Sequence, residues 1–156
     1  LWRVTRRAAN SVGMNTPSSF APTSTLVAYW FTIPVKTRAE ALKNGFTRCP
    51  SEIAIRPQTG GDIEAAMAGD IKAGLSFQQK MIQAVLCGVN FDPDGNEAGR
   101  KVVSRAAAHP DYHPSNVYAA LPAAVCTMLG KAFSTMNEPE QEDLDVFLQS
   151  RSTVTG

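Results

Sequence analysis

Three short stretches of this chain carry residue types that could do chemistry. Asn90-Phe91-Asp92-Pro93-Asp94-Gly95-Asn96 sets oxygen donors at alternate positions, as the front of a calcium loop does. With Gly95 at the sixth position, Asn90, Asp92 and Asp94 fall at the first, third and fifth. The twelfth should be a bidentate Glu but is Lys101, a cation that repels the metal. A tight turn between helices is the expected reading. His109 and His113 have the i, i+4 spacing with which two imidazoles on one helix hold zinc. Pro110 and Pro114 break that helix, and no third Cys or Glu ligand lies near in sequence. A rigid exposed loop is expected there, and the charge-poor surroundings offer no partner for general-base work. Arg56-Pro57-Gln58-Thr59-Gly60-Gly61-Asp62 places an arginine and two glycines before a helix start, where anions bind. The full phosphate-loop pattern is absent and Asp62 would repel a phosphate, so the stretch reads as a strand-to-helix turn.

Nucleophile patterns are missing as well. No Gly-x-Ser-x-Gly occurs, and Cys49 has no histidine close in sequence. Cys49, Cys87 and Cys126 are odd in number and far apart, with no Cys-x-x-Cys. This pattern disfavours a metal cluster and a secreted disulfide framework alike. Cys87 and Cys126 lie inside apolar helical patterns and read as small core hydrophobes. The expectation is a protein that is not an enzyme and needs no cofactor and no metal.

Elements must exist to position these stretches. At 156 residues and 44% apolar composition the chain suits one domain with a real core. Leu26 to Ile33 is β-branched and aromatic and ends at Pro34, which predicts a strand; Ser51 to Arg56 alternates Ile53 and Ile55 with Glu52 and Arg56, which predicts a second. Thr37-Arg38-Ala39-Glu40 has capping-box spacing for a short helix stopped near Gly45. Beyond Thr59 the pattern is helical: Asp62 caps one helix, and Ser76 opens another with Phe77, Met81, Ile82, Val85, Leu86 and Val89 at helical spacing. Asn96 is expected to start a helix through Ala108. Ser115 opens the longest apolar segment, where Pro122 must start a new helix or kink one. Asn137-Glu138-Pro139-Glu140 is a helix-start signature before a buried stripe of Leu144, Phe147 and Leu148. The predicted class is α+β: a small antiparallel sheet from the amino-terminal third packed on a mainly helical carboxy-terminal body. The expected divisions are an extended basic arm over 1–25, a single domain over 26–150 that is mostly helical after 60, and a tail over 151–156.

Charge is split by position. Residues 1–48 hold seven Lys or Arg against one acid, Glu40, whereas the remainder holds eight bases against thirteen acids. Asn10 to Thr25 is rich in Ser, Thr, Asn and Pro and too polar to offset its ordering entropy alone. An arm of this kind is expected to order against a neighbour. Trp2, Arg3, Arg6 and Arg7 would dock there, with Tyr29 or Trp30 joining them where a ring face is exposed, since aromatic and arginine side chains anchor interfaces. The acids between Glu138 and Asp145 offer a complementary surface, so the partners include other subunits and copies of the chain itself. Nucleic acid is a lesser alternative, because a few cations and one stacking ring make a weak footprint. No stretch reaches the roughly 18 to 20 apolar residues of a membrane span. An Arg-rich, acid-poor start at Leu1 is also what a cleaved organellar presequence would leave. The alternative setting is therefore an accessory subunit of a mitochondrial complex.

From residue 31 to 150 the order of signals resembles a family of small bacterial-virus proteins. Phe31-Thr32-Ile33-Pro34 is followed by Ile53-Ala54-Ile55-Arg56-Pro57, then by Thr59-Gly60-Gly61-Asp62-Ile63-Glu64-Ala65-Ala66. Helices follow, down to Asn137-Glu138-Pro139-Glu140 and Asp143-Leu144-Asp145-Val146-Phe147-Leu148. This is similar to the tail-assembly-chaperone and baseplate-hub assembly proteins of tailed phages, in which a short β-region with an Arg-Pro-x-Thr-x-x-Asp-like turn leads into a helical body. The resemblance implies a non-catalytic role, binding tail or baseplate proteins in the virion or in host cytoplasm during assembly. Residues 1–25 have no counterpart in it.

Overall fold

Five strands form one antiparallel sheet in the order β1-β2-β3-β4-β5: Val4–Arg7 (β1), Ala28–Thr32 (β2), Glu52–Ile55 (β3), Leu86–Asn90 (β4) and Arg100–Val102 (β5). Six α-helices accompany them: Val35–Lys43 (α1), Gly60–Met67 (α2), Phe77–Val85 (α3), Pro114–Ala120 (α4), Ala123–Asn137 (α5) and Gln141–Ser150 (α6). The computed structural model describes residues 4–7, 26–69, 71 and 74–150. The fold is α+β, as the sequence pattern implies.

One face of the sheet makes the core. Register places Phe31 beside Ile53 and Ile53 beside Val89, so alternate residues of β2, β3 and β4 share that face. Onto it pack Met81, Ile82 and Val85 of α3, Val117 of α4, and Val125, Leu129 and Phe133 of α5. Ile33, Ile53, Ile55, Val85, Val89, Val125 and Leu129 are wholly excluded from solvent. Pro122 begins a new helix: α4 stops before Leu121, whose backbone is extended, and Pro122 caps α5.

The sheet is not confined to the amino-terminal third. The helix expected to run past Val85 stops there, because Leu86 turns extended at φ −67°, ψ 117° and Leu86–Asn90 pairs with β3. Gly88 makes room for this pairing. A Cβ on it would lie 2.6 Å from a ring carbon of Trp30, so only glycine lets β4 pass beneath that indole. The helix expected from Asn96 to Ala108 is likewise replaced, by a 3-10 turn at Glu97–Gly99 and then β5. Val102 is exposed and Val103 buried, a two-residue alternation that suits a strand. The Asn90–Asn96 stretch therefore joins two strands rather than two helices.

Val4–Arg7, assigned by composition to the arm, pairs antiparallel with β2 from Val4↔Phe31 to Arg7↔Ala28. These residues belong to the sheet, which moves the start of the fold ahead of residue 26. Trp2, Arg3, the rest of the arm and the 151–156 tail lie outside the described residues.

Helix α6 departs from expectation too. Its stripe is not buried: Phe147 is 70% and Leu148 41% exposed, and Val146 is 67% exposed. Among the described residues, no other helix or strand packs closely along it. No helix among them is long and apolar enough to cross a membrane.

Candidate functional site

The turn after β3 is built around one guanidinium. Arg56 donates from Nη1 and Nη2 to the two carboxylate oxygens of Asp62, each at 2.8 Å. It also donates to the carbonyls of Pro57 (3.0 Å) and Ala84 (2.9 Å), which ties the turn to the end of α3. Asp62 accepts from the Thr59 backbone N–H while Thr59 Oγ1 accepts from the Asp62 N–H, a reciprocal cap on α2. Gln58 N–H donates to Asn137 Oδ1 at the far end of α5. Burial alone would raise the Asp62 pKa; hydrogen bonds from Arg56 and Thr59, with the Arg56 charge, outweigh it and hold the carboxyl below its ordinary value. The candidate anion site is therefore a joint whose arginine is already neutralised.

A second polar cluster, which the sequence did not suggest, crosses three strands on the face away from the main core. Register aligns Glu52 of β3 with Asn90 of β4, and Asn90 with Arg100 of β5. Arg100 donates to both Glu52 oxygens (Nε to Oε1 3.0 Å, Nη2 to Oε2 2.8 Å) and to Glu97 at 3.3 Å. Asn90, wholly buried, donates to Glu52 Oε1 and to the Asn96 carbonyl, each at 2.9 Å. The guanidinium carbon also sits 4.4 Å from the Trp30 ring centroid. Burial pushes the Glu52 pKa up, but the Arg100 and Asn90 hydrogen bonds and the Arg100 charge outweigh it, so the net shift is downward. Trp30 is thus 6% exposed, with its Nε1 buried and without a hydrogen-bond partner. It is no exposed anchor. Tyr29 is half-buried against the core, while Arg6 and Arg7 lie in the backbone of β1.

The calcium-like loop spends its donors internally. Asn90 Oδ1 accepts from the Asp92 N–H and Asp92 Oδ1 from the Asp94 N–H, two successive side-chain turns. Arg38 donates to the Pro93 carbonyl at 2.8 Å. The histidines are caps: His109 Nδ1 accepts from the Asp111 N–H, and His113 Nδ1 meets Ser115 Oγ at 2.8 Å at the start of α4. Among the described residues no group of three or more His, Cys, Asp or Glu is placed to hold a metal. The three thiols are unpaired. Burial pushes Cys87 up to about 12 and raises Cys49 and Cys126 as well, which suppresses the nucleophilic thiolate.

Among the described residues a groove and a helix are open to solvent. A groove of about 620 Å³ runs between the start of α3 and one face of α5, lined by Ser76, Gln79, Tyr118, Cys126, Lys131 and Ser134 among others. Its walls are mixed in polarity, and neither buried unpartnered side-chain atom, on Trp30 or Arg38, belongs to its lining. The other is α6, where Glu142, Asp143 and Asp145 stand among the exposed apolar residues Val146 and Leu148. Asp145 accepts from Gln141 at 2.8 Å, and among the described residues none of the acids from Glu138 to Asp145 makes an ion pair.

No protein-family model matches the chain, and no curated protein and no solved structure matches it.

Proposed function

We propose that the chain is a non-catalytic structural or assembly subunit of a multisubunit complex, with the tail or baseplate of a tailed bacterial virus as its first setting. The observation that carries this reading is α6, an acidic helix that leaves Val146 and Leu148 in water. Apolar side chains gathered with charges on one uncovered element are what a partner surface presents. The polar residues that first suggest chemistry act instead as caps, joints and turns. The viral setting draws its support from the sequence resemblance between Phe31 and Leu148.

Size separation of native extracts, with the chain followed by mass spectrometry, tests the subunit reading. The chain should travel with a fixed set of proteins well above its own 16.8 kDa. Migration at monomer mass under every ionic condition would end the proposal. Electron microscopy of particles made without the chain tests the setting: incomplete tails are expected, and intact infectious particles would remove the virus while leaving the subunit.

A further inference from the structure

Resting on that subunit reading, and naming one partner for it, we propose that the exposed face of α6 docks the basic amino-terminal segment of a second copy of this chain. The face combines apolar and anionic groups. Val146 stands one helical turn beyond Glu142, and Leu148 nearly one turn beyond Asp145, so each exposed apolar residue has an acid beside it. Between Glu138 and Ser150 there are five acids and no base. The chain supplies the complement at its other end: Trp2 and Val4 stand among Arg3, Arg6 and Arg7, and no acid occurs before Glu40.

Two observations favour a second copy over the alternatives. Among the described residues the α6 acids make no ion pair, which leaves their charge for a basic partner. Pairing α6 with α6 would set three acids against three, which opposes a symmetric helix pair. An amino-terminal segment on a neighbour's α6 brings opposite charges together at matched stoichiometry. Reciprocal docking closes a dimer, and one-way docking builds an open row of subunits.

Sedimentation velocity of the full chain over a range of concentrations and salt tests this. Association is expected at low ionic strength and should be lost near 1 M salt, where the screening length shrinks to about 3 Å. Neutralising the helix with Glu142→Gln, Asp143→Asn and Asp145→Asn should weaken it roughly tenfold or more, as should Arg3→Glu with Arg6→Glu and Arg7→Glu. A chain with Glu142, Asp143 and Asp145 all changed to Lys should then pair with the Arg-to-Glu chain, although neither self-associates. Circular dichroism of each variant confirms that it folds. A chain that stays monomeric at low salt, or one whose association ignores these changes, overturns the proposal. So does a variant set that shifts the melting temperature without changing mass, since the segment would then sit on its own α6. Any of these outcomes leaves a complex with other proteins in native extracts untouched.

Discussion

Strand β3 ends in a buried ion pair on both sides, and the two pairs are built differently. After its last residue, Arg56 reaches Asp62 only six positions on, within one turn, and shares the load with two carbonyls and a helix cap. At its first residue, Glu52 reaches Arg100 across an intervening strand, 48 positions away, with Asn90 between them and Trp30 beneath the guanidinium. The near pair tightens a local turn that capping already favours. The far pair exists only once three strands are in register, so it reports on the whole sheet. A buried charge whose partner is removed costs more than an ordinary hydrogen bond, because its desolvation is no longer offset.

The largest effect is therefore expected at the far pair. Glu52→Ala should lower stability by about 3–5 kcal/mol, because Arg100 keeps the exposed Glu97 and the Trp30 ring but no buried carboxylate. Urea unfolding measures it, and a loss no larger than that of an exposed substitution would reduce the cluster to decoration. Asp62→Ala should cost less, about 2 kcal/mol, since Arg56 retains the Pro57 and Ala84 carbonyls and only the carboxylate's half of the α2 cap is lost. Should the near pair prove the costlier, the contrast between them is reversed. Gly88→Ala tests the packing beneath Trp30 and should cost about 1–3 kcal/mol by forcing the indole or the strand aside.

Acid should act on both pairs in the same direction. Each carboxyl has a folded pKa below its ordinary value, 4.5 for Glu52 and 3.8 for Asp62. Each then binds protons more readily unfolded than folded, so its contribution is complete above the ordinary value and is lost as pH falls through the folded one. Melting temperatures should drop below about pH 4.5, and Glu52→Gln should flatten part of that drop. A profile that Glu52→Gln leaves unchanged would show that the far pair does not report on acid. The smallest effect belongs to α6: Val146→Ala should change stability by no more than about 0.5 kcal/mol, because its side chain is already in water.

The near pair was legible as a turn because its parts are adjacent: Arg56, Pro57, Thr59 and Asp62 announce a strand end and a helix start by type and spacing. The far pair was not, since Glu52 read as the polar half of an alternation and Arg100 as a residue of an expected helix. Trp30 shows the same limit. Its type suggested an interface anchor, yet register places it over Gly88 and under Arg100.

Capping residues, prolines and apolar spacing by themselves determined the α+β class, the β2 and β3 strands, the start of α3 and the break at Pro122, whereas α2 starts at Gly60 under a Thr59 cap rather than after Asp62. Those signals act between neighbours in the chain, where spacing and geometry are the same thing. Tertiary contact alone decided that Leu86–Asn90 and Arg100–Val102 become strands and that the apolar residues of α6 stay uncovered. A short apolar run is compatible with either period, and the sheet edge or helix face available to it settles which one it adopts.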